Sequence, residues 1–185
     1  MKHLALVGKN GSGKSSVCQY LVRSHGYRDY SLSDVLRVKL QAEGLPLTRE
    51  HLTVFSNSLK EKEGPACLAL HCYDLAVSDG HTRFVFDSIR HPEEVRYLKS
   101  KGVFFIAIRV DLKQRYERIK KRKRDSDFVD FSTFKDQDDL ESSGASSGQH
   151  LDACLDACDF SLDNSMDLLH LETQIDTLLH SDIRQ

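Results

Sequence analysis

The 185-residue chain has no excess of either charge: 26 Lys and Arg stand against 28 Asp and Glu, for a formal net charge of −2 and a pI near 6.5. That balance gives no general basic field, so nucleic acid is not expected as a partner and any basic patch must be local. The five cysteines are odd in number and form no C-x-x-C pair, and the N-terminus has neither a charged leader nor a long apolar segment. Together these read as a reduced, cytoplasmic protein. No apolar run approaches the roughly 20 residues that a membrane span requires, so no membrane partner is expected. Internal repeats are absent. The only low-complexity stretch is "SSGASSG" (142–148), which reads as a surface connection.

What is present is a 39% hydrophobic chain, long enough for one substantial core and expected to form a single domain over residues 1–185. Short apolar runs recur at 3–8, 29–33, 83–88, 103–110 and 159–164, and these are the expected strands. Helical spacing fills 14–25, 33–43, 48–62, 65–77, 92–101, 112–123, 130–142, 149–157 and 166–180. Strands alternating with helices predict an α/β fold, a five-stranded parallel sheet flanked by helices.

Between the first strand and the first helix lies "GKNGSGKS", in which Gly8, Gly13, Lys14 and Ser15 satisfy G-x-x-x-x-G-K-[ST]. The context is the one the mechanism requires. Glycines let the backbone wrap so that N–H groups point inward, and the helix adds its positive end, which makes a nest for polyphosphate. The expected ATP-binding residues are Gly8, Asn10, Gly11, Ser12, Gly13, Lys14, Ser15 and Ser16. Lys14 would reach the β- and γ-phosphates, while the Ser15 hydroxyl and a carboxylate at the end of a neighbouring strand, Asp87, would serve Mg²⁺. Asp87 has a plainer alternative as a cap for the helix that starts near His91 or Pro92. The chain has no N-K-x-D and no D-x-x-G, which sets GTPases aside, and it is small for a motor or transporter ATPase. Small-molecule kinases remain.

Several further motifs in order resemble the adenylate-kinase-like nucleoside monophosphate kinases. "SLSDVLRVKL" (31–40) is similar to the family's acceptor-binding helix opening, "FDSIRHPEEVRYL" (86–98) to its Asp-then-Arg segment, and "ERIKKRKRDSD" (117–127) to its arginine-rich LID. The pattern is also similar to archaeal adenylate-kinase-related and phage deoxynucleotide kinase-like sequences carrying D-G-I-R-x-x-x-E and ending in A-D-Y-V-I-x-N, against "ACDFSLDN" (157–164) here. The resemblance implies an acceptor-binding segment at about 31–80 and a LID at about 116–142. It also implies phosphoryl transfer from ATP with Mg²⁺ to a nucleoside or deoxynucleoside monophosphate, by a monomer or homodimer.

It implies roles residue by residue as well. Arg37 and Arg90 would hold the acceptor phosphate through bidentate forks, with Arg124 and Asp34 beside them. Arg118 and Arg122 would join Lys14, Arg90 and Asp87 in catalysis, while Lys120, Lys121 and Lys123 stay solvated. Asn164 and Ser165 would pass the adenine, with a turn and helix cap as the alternative. Surface pairing is the plain alternative for the two forks, Arg37 with Glu43 or Asp34 and Arg90 with Glu93 or Glu94. Asp34 is either a helix cap or the base of a hydroxyl-directed kinase of the dephospho-coenzyme A type. A slow ATPase and a nucleotide-sensing module stay open. His150, Cys154 and Cys158 fall at i, i+4 and i+8; soft metal ligation is imaginable there, and burial is the expected reading.

Overall fold

The structure is a computed structural model that describes residues 3–122, 128–143 and 150–181, the side chain of Arg49 excepted. Among these residues five strands and nine helices alternate: β1 Leu4–Val7, α1 Lys14–His25, β2 Arg28–Ser31, α2 Leu32–Ala42, α3 Arg49–Glu63, α4 Cys67–Ser78, β3 Phe84–Asp87, α5 Pro92–Ser100, β4 Phe104–Arg109, α6 Leu112–Arg122, α7 Phe131–Ser143, α8 Leu151–Asp156, β5 Phe160–Asp163 and α9 Leu168–Ser181. Every expected element is present. The expected second strand runs too far, because the backbone turns helical at Leu32 with Ser31 as N-cap. Asp34 therefore lies in the first turn of α2 and is not its cap.

The sheet has the order β2-β3-β1-β4-β5, and each adjacent pair is parallel. Alternation along the strands builds two cores. Leu4 and Leu6 of β1, with Ile106 and Ile108 of β4, face α1 and α9 through Val17, Leu21, Leu171, Ile175 and Leu178. Ala5, Val7, Phe105 and Ala107 point the other way, toward Leu68, Cys72, Val95, Leu98 and Leu151. The period of two allows no other division. Phe86 and Phe105 are both fully buried, and truncating either to Ala is expected to cost about 3–5 kcal/mol.

Because β1 pairs with β3 on one side and β4 on the other, the segment after β1 emerges where the chain's direction of winding reverses, the crevice in which open α/β sheets place ligands. Two local signals fix its neighbours. Helix α5 starts at a capping box, in which the His91 ring accepts from Glu93 N–H while Glu94 reaches back to the His91 N–H, with proline at the first position. Helix α1 ends at Gly26, whose φ of 69° is the left-handed C-cap conformation.

Candidate active site

The segment after β1 folds as a nest. Gly11 and Gly13 hold φ values of 79° and 98°, a region that L-residues rarely adopt. Space is as restrictive as conformation: a Cβ on Gly11 would lie 2.7 Å from the Arg115 carbonyl oxygen, and one on Gly13 would collide with the Asn164 side-chain amide. Gly13 serves as N-cap of α1 with no side-chain cap, so the first N–H groups of that 12-residue helix keep their polarity toward the loop. The Ser12 hydroxyl is buried without a hydrogen-bond partner. These features fit a polyphosphate.

Lys14 folds over this loop, its ammonium donating to Gly8 O at 2.6 Å and Lys9 O at 3.4 Å. Burial holds its pKa below the ordinary lysine value; Arg90 and Arg122 push the same way, and Asp87 and Glu141 oppose them. Asp87 ends β3, and its Oδ1 accepts the Ser88 N–H at 2.5 Å. The cap of α5 is His91, which leaves Asp87 outside that role. Ser15 and Ser16 lie exposed in the first turn of α1. Magnesium with ATP would find oxygen donors here in Ser15 and Asp87.

A cleft of about 450 Å³ opens from this loop and is lined by Gly8, Asn10, Lys14, Arg37, Arg90 and Arg122, among others. Its walls include Leu36 from α2, Leu52 and Lys60 from α3, Leu68 from α4 and Glu141 from α7. Arg37 is bound to Asp34 at 2.5 Å, one of the two plain pairings, and also donates to Ser33 Oγ at 3.1 Å. Arg90 departs from expectation. Its guanidinium stands 3.4 Å from Glu141, while Glu94 takes the backbone N–H groups of Arg90 and His91 at 2.8 and 3.1 Å. Glu94 is buried, which pushes its carboxyl above the usual range against the pull of Lys60, 3.7 Å away.

The basic run divides. Arg122 donates to the Asn10 side-chain oxygen at 3.3 Å, beside the phosphate loop, and Lys120 and Lys121 are exposed. Arg118 turns away from the cleft lining and donates to Asn164 O at 2.6 Å. Asn164 is itself buried, its Nδ2 donating to Ser12 O at 2.8 Å; it braces the loop from below. Ser165 closes a turn on Asp163 through both its N–H and its hydroxyl, while the His170 N–H in the first turn of α9 goes to Asp167. Arg124 lies outside the described residues, as does Lys123.

Cys154 is buried and Cys158 partly so, with burial pushing each thiol up to about 12. Cys154 belongs to the core and Cys158 packs against it; among the described residues no group of three or more His, Cys, Asp and Glu is placed to hold a metal ion.

The pair Arg115–Asp138 went unnoticed in the sequence. Arg115 meets Asp138 of α7 through two hydrogen bonds, 2.6 and 2.9 Å, with both side chains buried. It also donates to Val110 O and Asn10 O at 3.2 and 3.3 Å, and Lys9 approaches Asp138 at 3.5 Å and Asp152 at 2.9 Å. The clamp ties the phosphate loop to α6, α7 and α8. A signal existed: Arg115 with Ile119, and Asp138 with Phe134, are the buried residues of their helices and stand four apart, so each charge sits on an apolar face.

Comparison with known proteins agrees with this architecture. The family model described as AAA domain matches residues 4–133. A UPF0200/UPF0201 protein of Archaeoglobus fulgidus is 33% identical over 170 residues, 89% of this chain, and the chain spans 51% of that relative's length. A UPF0200 protein of Methanococcus maripaludis is 30% identical over 144 residues, 76% of this chain and 78% of the relative. In fold, the chain is similar to the shikimate kinase of Acinetobacter baumannii solved with shikimate, with a TM-score of 0.61 at 12% identity over 100% of this chain and 96% of that one. The parallel sheet, the glycine nest and these matches together place the chain in the AAA-domain family of P-loop proteins and, by its archaeal relatives, in the UPF0200 family, with a P-loop kinase fold.

Proposed function

We propose that the protein transfers the γ-phosphoryl group of ATP to a small phosphorylated acceptor, a nucleoside or deoxynucleoside monophosphate. One observation carries the reading: among the described residues, the cleft that begins at the phosphate loop is lined by five cations, Lys14, Arg37, Lys60, Arg90 and Arg122, against two carboxylates, Glu94 and Glu141. A second anion brought in line with the γ-phosphate needs that surplus. A hydroxyl acceptor needs instead a carboxylate placed to take its proton. Asp34, the candidate for that work, is outside the cleft lining, largely exposed and held by Arg37.

In this reading the loop Gly8–Ser16 holds the ATP phosphates, and Lys14 follows the moving group as a point charge. Mg²⁺, when bound, would supply positive charge against the phosphates, and Ser15 and Asp87 are the residues that would hold it. Arg37 and Arg90 orient the acceptor phosphate from the 31–80 side, and Arg122 approaches from the 116–142 side, where water must be excluded. Arg118 acts through Asn164, holding the loop after β5 on which the adenine would lie.

The test is a panel of nucleoside and deoxynucleoside monophosphates, with dephospho-coenzyme A and water as competitors, incubated with ATP and Mg²⁺ and read by ADP formation and product mass. The expected result is phosphorylated product from at least one monophosphate. ADP without any phosphorylated product refutes the reading in favour of an ATPase, and product from dephospho-coenzyme A alone refutes it in favour of a hydroxyl acceptor.

A further inference from the structure

Ser88 is, among the described residues, the one non-glycine residue with positive φ, at 66°. Such a conformation in an L-residue persists only where the surroundings hold it. It stands at the position that glycine fills in the D-G-I-R pattern, one residue past Asp87, and it lines the cleft together with Ser33, Arg37, Arg90 and Lys14.

What holds it is a triangle of hydroxyls at the carboxyl ends of β2 and β3. Ser31 Oγ lies 2.9 Å from Ser33 Oγ and donates to Ser88 Oγ at 3.0 Å, and the third edge, Ser33 to Ser88, is 3.3 Å. Arg37 donates into the triangle at Ser33 Oγ. Each hydroxyl has one proton. Ser31 spends its proton on Ser88, so the short edge between Ser31 and Ser33 takes the proton of Ser33. The Ser88 proton is left with the longest edge, a weak bond by its length. It is the proton most cheaply turned toward a ligand, and the charge on Arg37, passed through Ser33 and Ser31, polarises it as a donor.

We propose that the Ser88 hydroxyl donates a hydrogen bond to a phosphoryl oxygen of the acceptor, between the forks of Arg37 and Arg90, and that the left-handed backbone is retained because it aims this hydroxyl. The proposal rests on the phosphorylated-acceptor reading above and adds to it a ligand contact that a glycine at this position cannot make.

Two variants separate the hydroxyl from the backbone. Ser88→Ala loses the hydroxyl and keeps the unfavourable φ; Ser88→Gly loses both. Using the acceptor found for the wild-type chain, kcat/KM for that acceptor is expected to fall about tenfold or more in both variants, the loss of one hydrogen bond to a charged group. The KM for ATP should stay within about twofold. Ser88→Gly is expected to melt about 2–8 °C above Ser88→Ala, so the glycine variant keeps the test open where the alanine variant folds poorly.

Acceptor kcat/KM unchanged in both variants, while the wild type phosphorylates its acceptor, overturns the Ser88 assignment and leaves the functional reading intact. A loss of ATP affinity as large as the loss of acceptor efficiency also overturns it, because the effect is then a distortion of the whole site. Wild type that phosphorylates no monophosphate overturns both.

Discussion

Removing Asp138 strands Arg115. Arg115 and Asp138 retain 5% and 7% of their side-chain exposure, so solvent cannot replace the lost carboxylate, whereas Lys9, 3.5 Å from the same group, keeps Asp152 at 2.9 Å. Breaking a buried pair by deleting one partner costs about 3–5 kcal/mol. For a chain of this size each kcal/mol moves the melting temperature by about 2–4 °C, so Asp138→Ala should melt about 6–20 °C below wild type. Arg115→Met should cost less, because Lys9 remains to compensate Asp138. The double variant Arg115→Met/Asp138→Leu, whose apolar side chains can pack on Phe134, should recover most of the loss. The assay is thermal and urea unfolding of wild type, both single variants and the double variant, taken as a thermodynamic cycle. Additive single effects, within about 0.5 kcal/mol, would refute the clamp as a coupled unit. Because Arg115 also donates to Asn10 O, ATP should bind the double variant more weakly even where stability is restored.

Lys14→Met should abolish Mg²⁺-dependent ATP turnover, by more than Lys9→Ala does, and should also be more stable than wild type. The folded-state pKa of Lys14 lies below the unfolded value of 10.5, so charging it costs stability in full below the folded value. That cost fades as pH rises toward 10.5; the gain in melting temperature over wild type should therefore shrink along the same path, and a gain that grows with pH contradicts the burial argument. Arg37→Ala and Arg90→Ala should each lower acceptor kcat/KM about tenfold or more with ATP affinity kept; collapse of ATP binding instead would show the two sites reversed. Arg122→Ala should lower turnover while leaving ATP affinity in place. Amide exchange in α6 and α7 should slow more with an adenosine–polyphosphate–acceptor bisubstrate than with either nucleotide alone; equal exchange in all states would reduce this basic face to a solvated one.

The sheet and the phosphate loop were legible in the sequence because each leaves a local trace. Strands of period two, helices of period 3.6 and a glycine motif set between them need no knowledge of distant residues. Pairings across the fold leave none. Arg90 has Glu93 and Glu94 at helical spacing, and its guanidinium stands 3.4 Å from Glu141, a residue of α7 far away in the chain. Asn164, by resemblance a candidate for the loop that passes the adenine through main-chain contacts, spends its side-chain amide on Ser12 O, a bond across the fold that nothing local announces. The left-handed conformation of Ser88 is invisible to propensity, since serine signals turns of several kinds.

The basic run in α6 shows how the helical period, and not the density of charge, selects the arginines that work. Residues 115, 118 and 122 stand three and four apart, which puts their side chains on one stripe. That stripe runs along the phosphate loop: Arg115 to the Asn10 carbonyl, Arg122 to the Asn10 side chain and Arg118 to the carbonyl of Asn164, whose amide in turn holds Ser12. Lys120 and Lys121 fall between these phases and are exposed. Counting cations in "RIKKRKR" thus finds the right helix and misses its first working residue, which lies one turn earlier, outside that run. The same stripe has a mechanical consequence. With Arg115 held to Asp138 and its carbonyl oxygen beside Gly11, α6 is tied to the nest at this turn. In the proposed reading, closure over the acceptor is therefore expected to draw on the Arg122 end of the helix, where the charge meets the cleft, and to leave the clamped end in place.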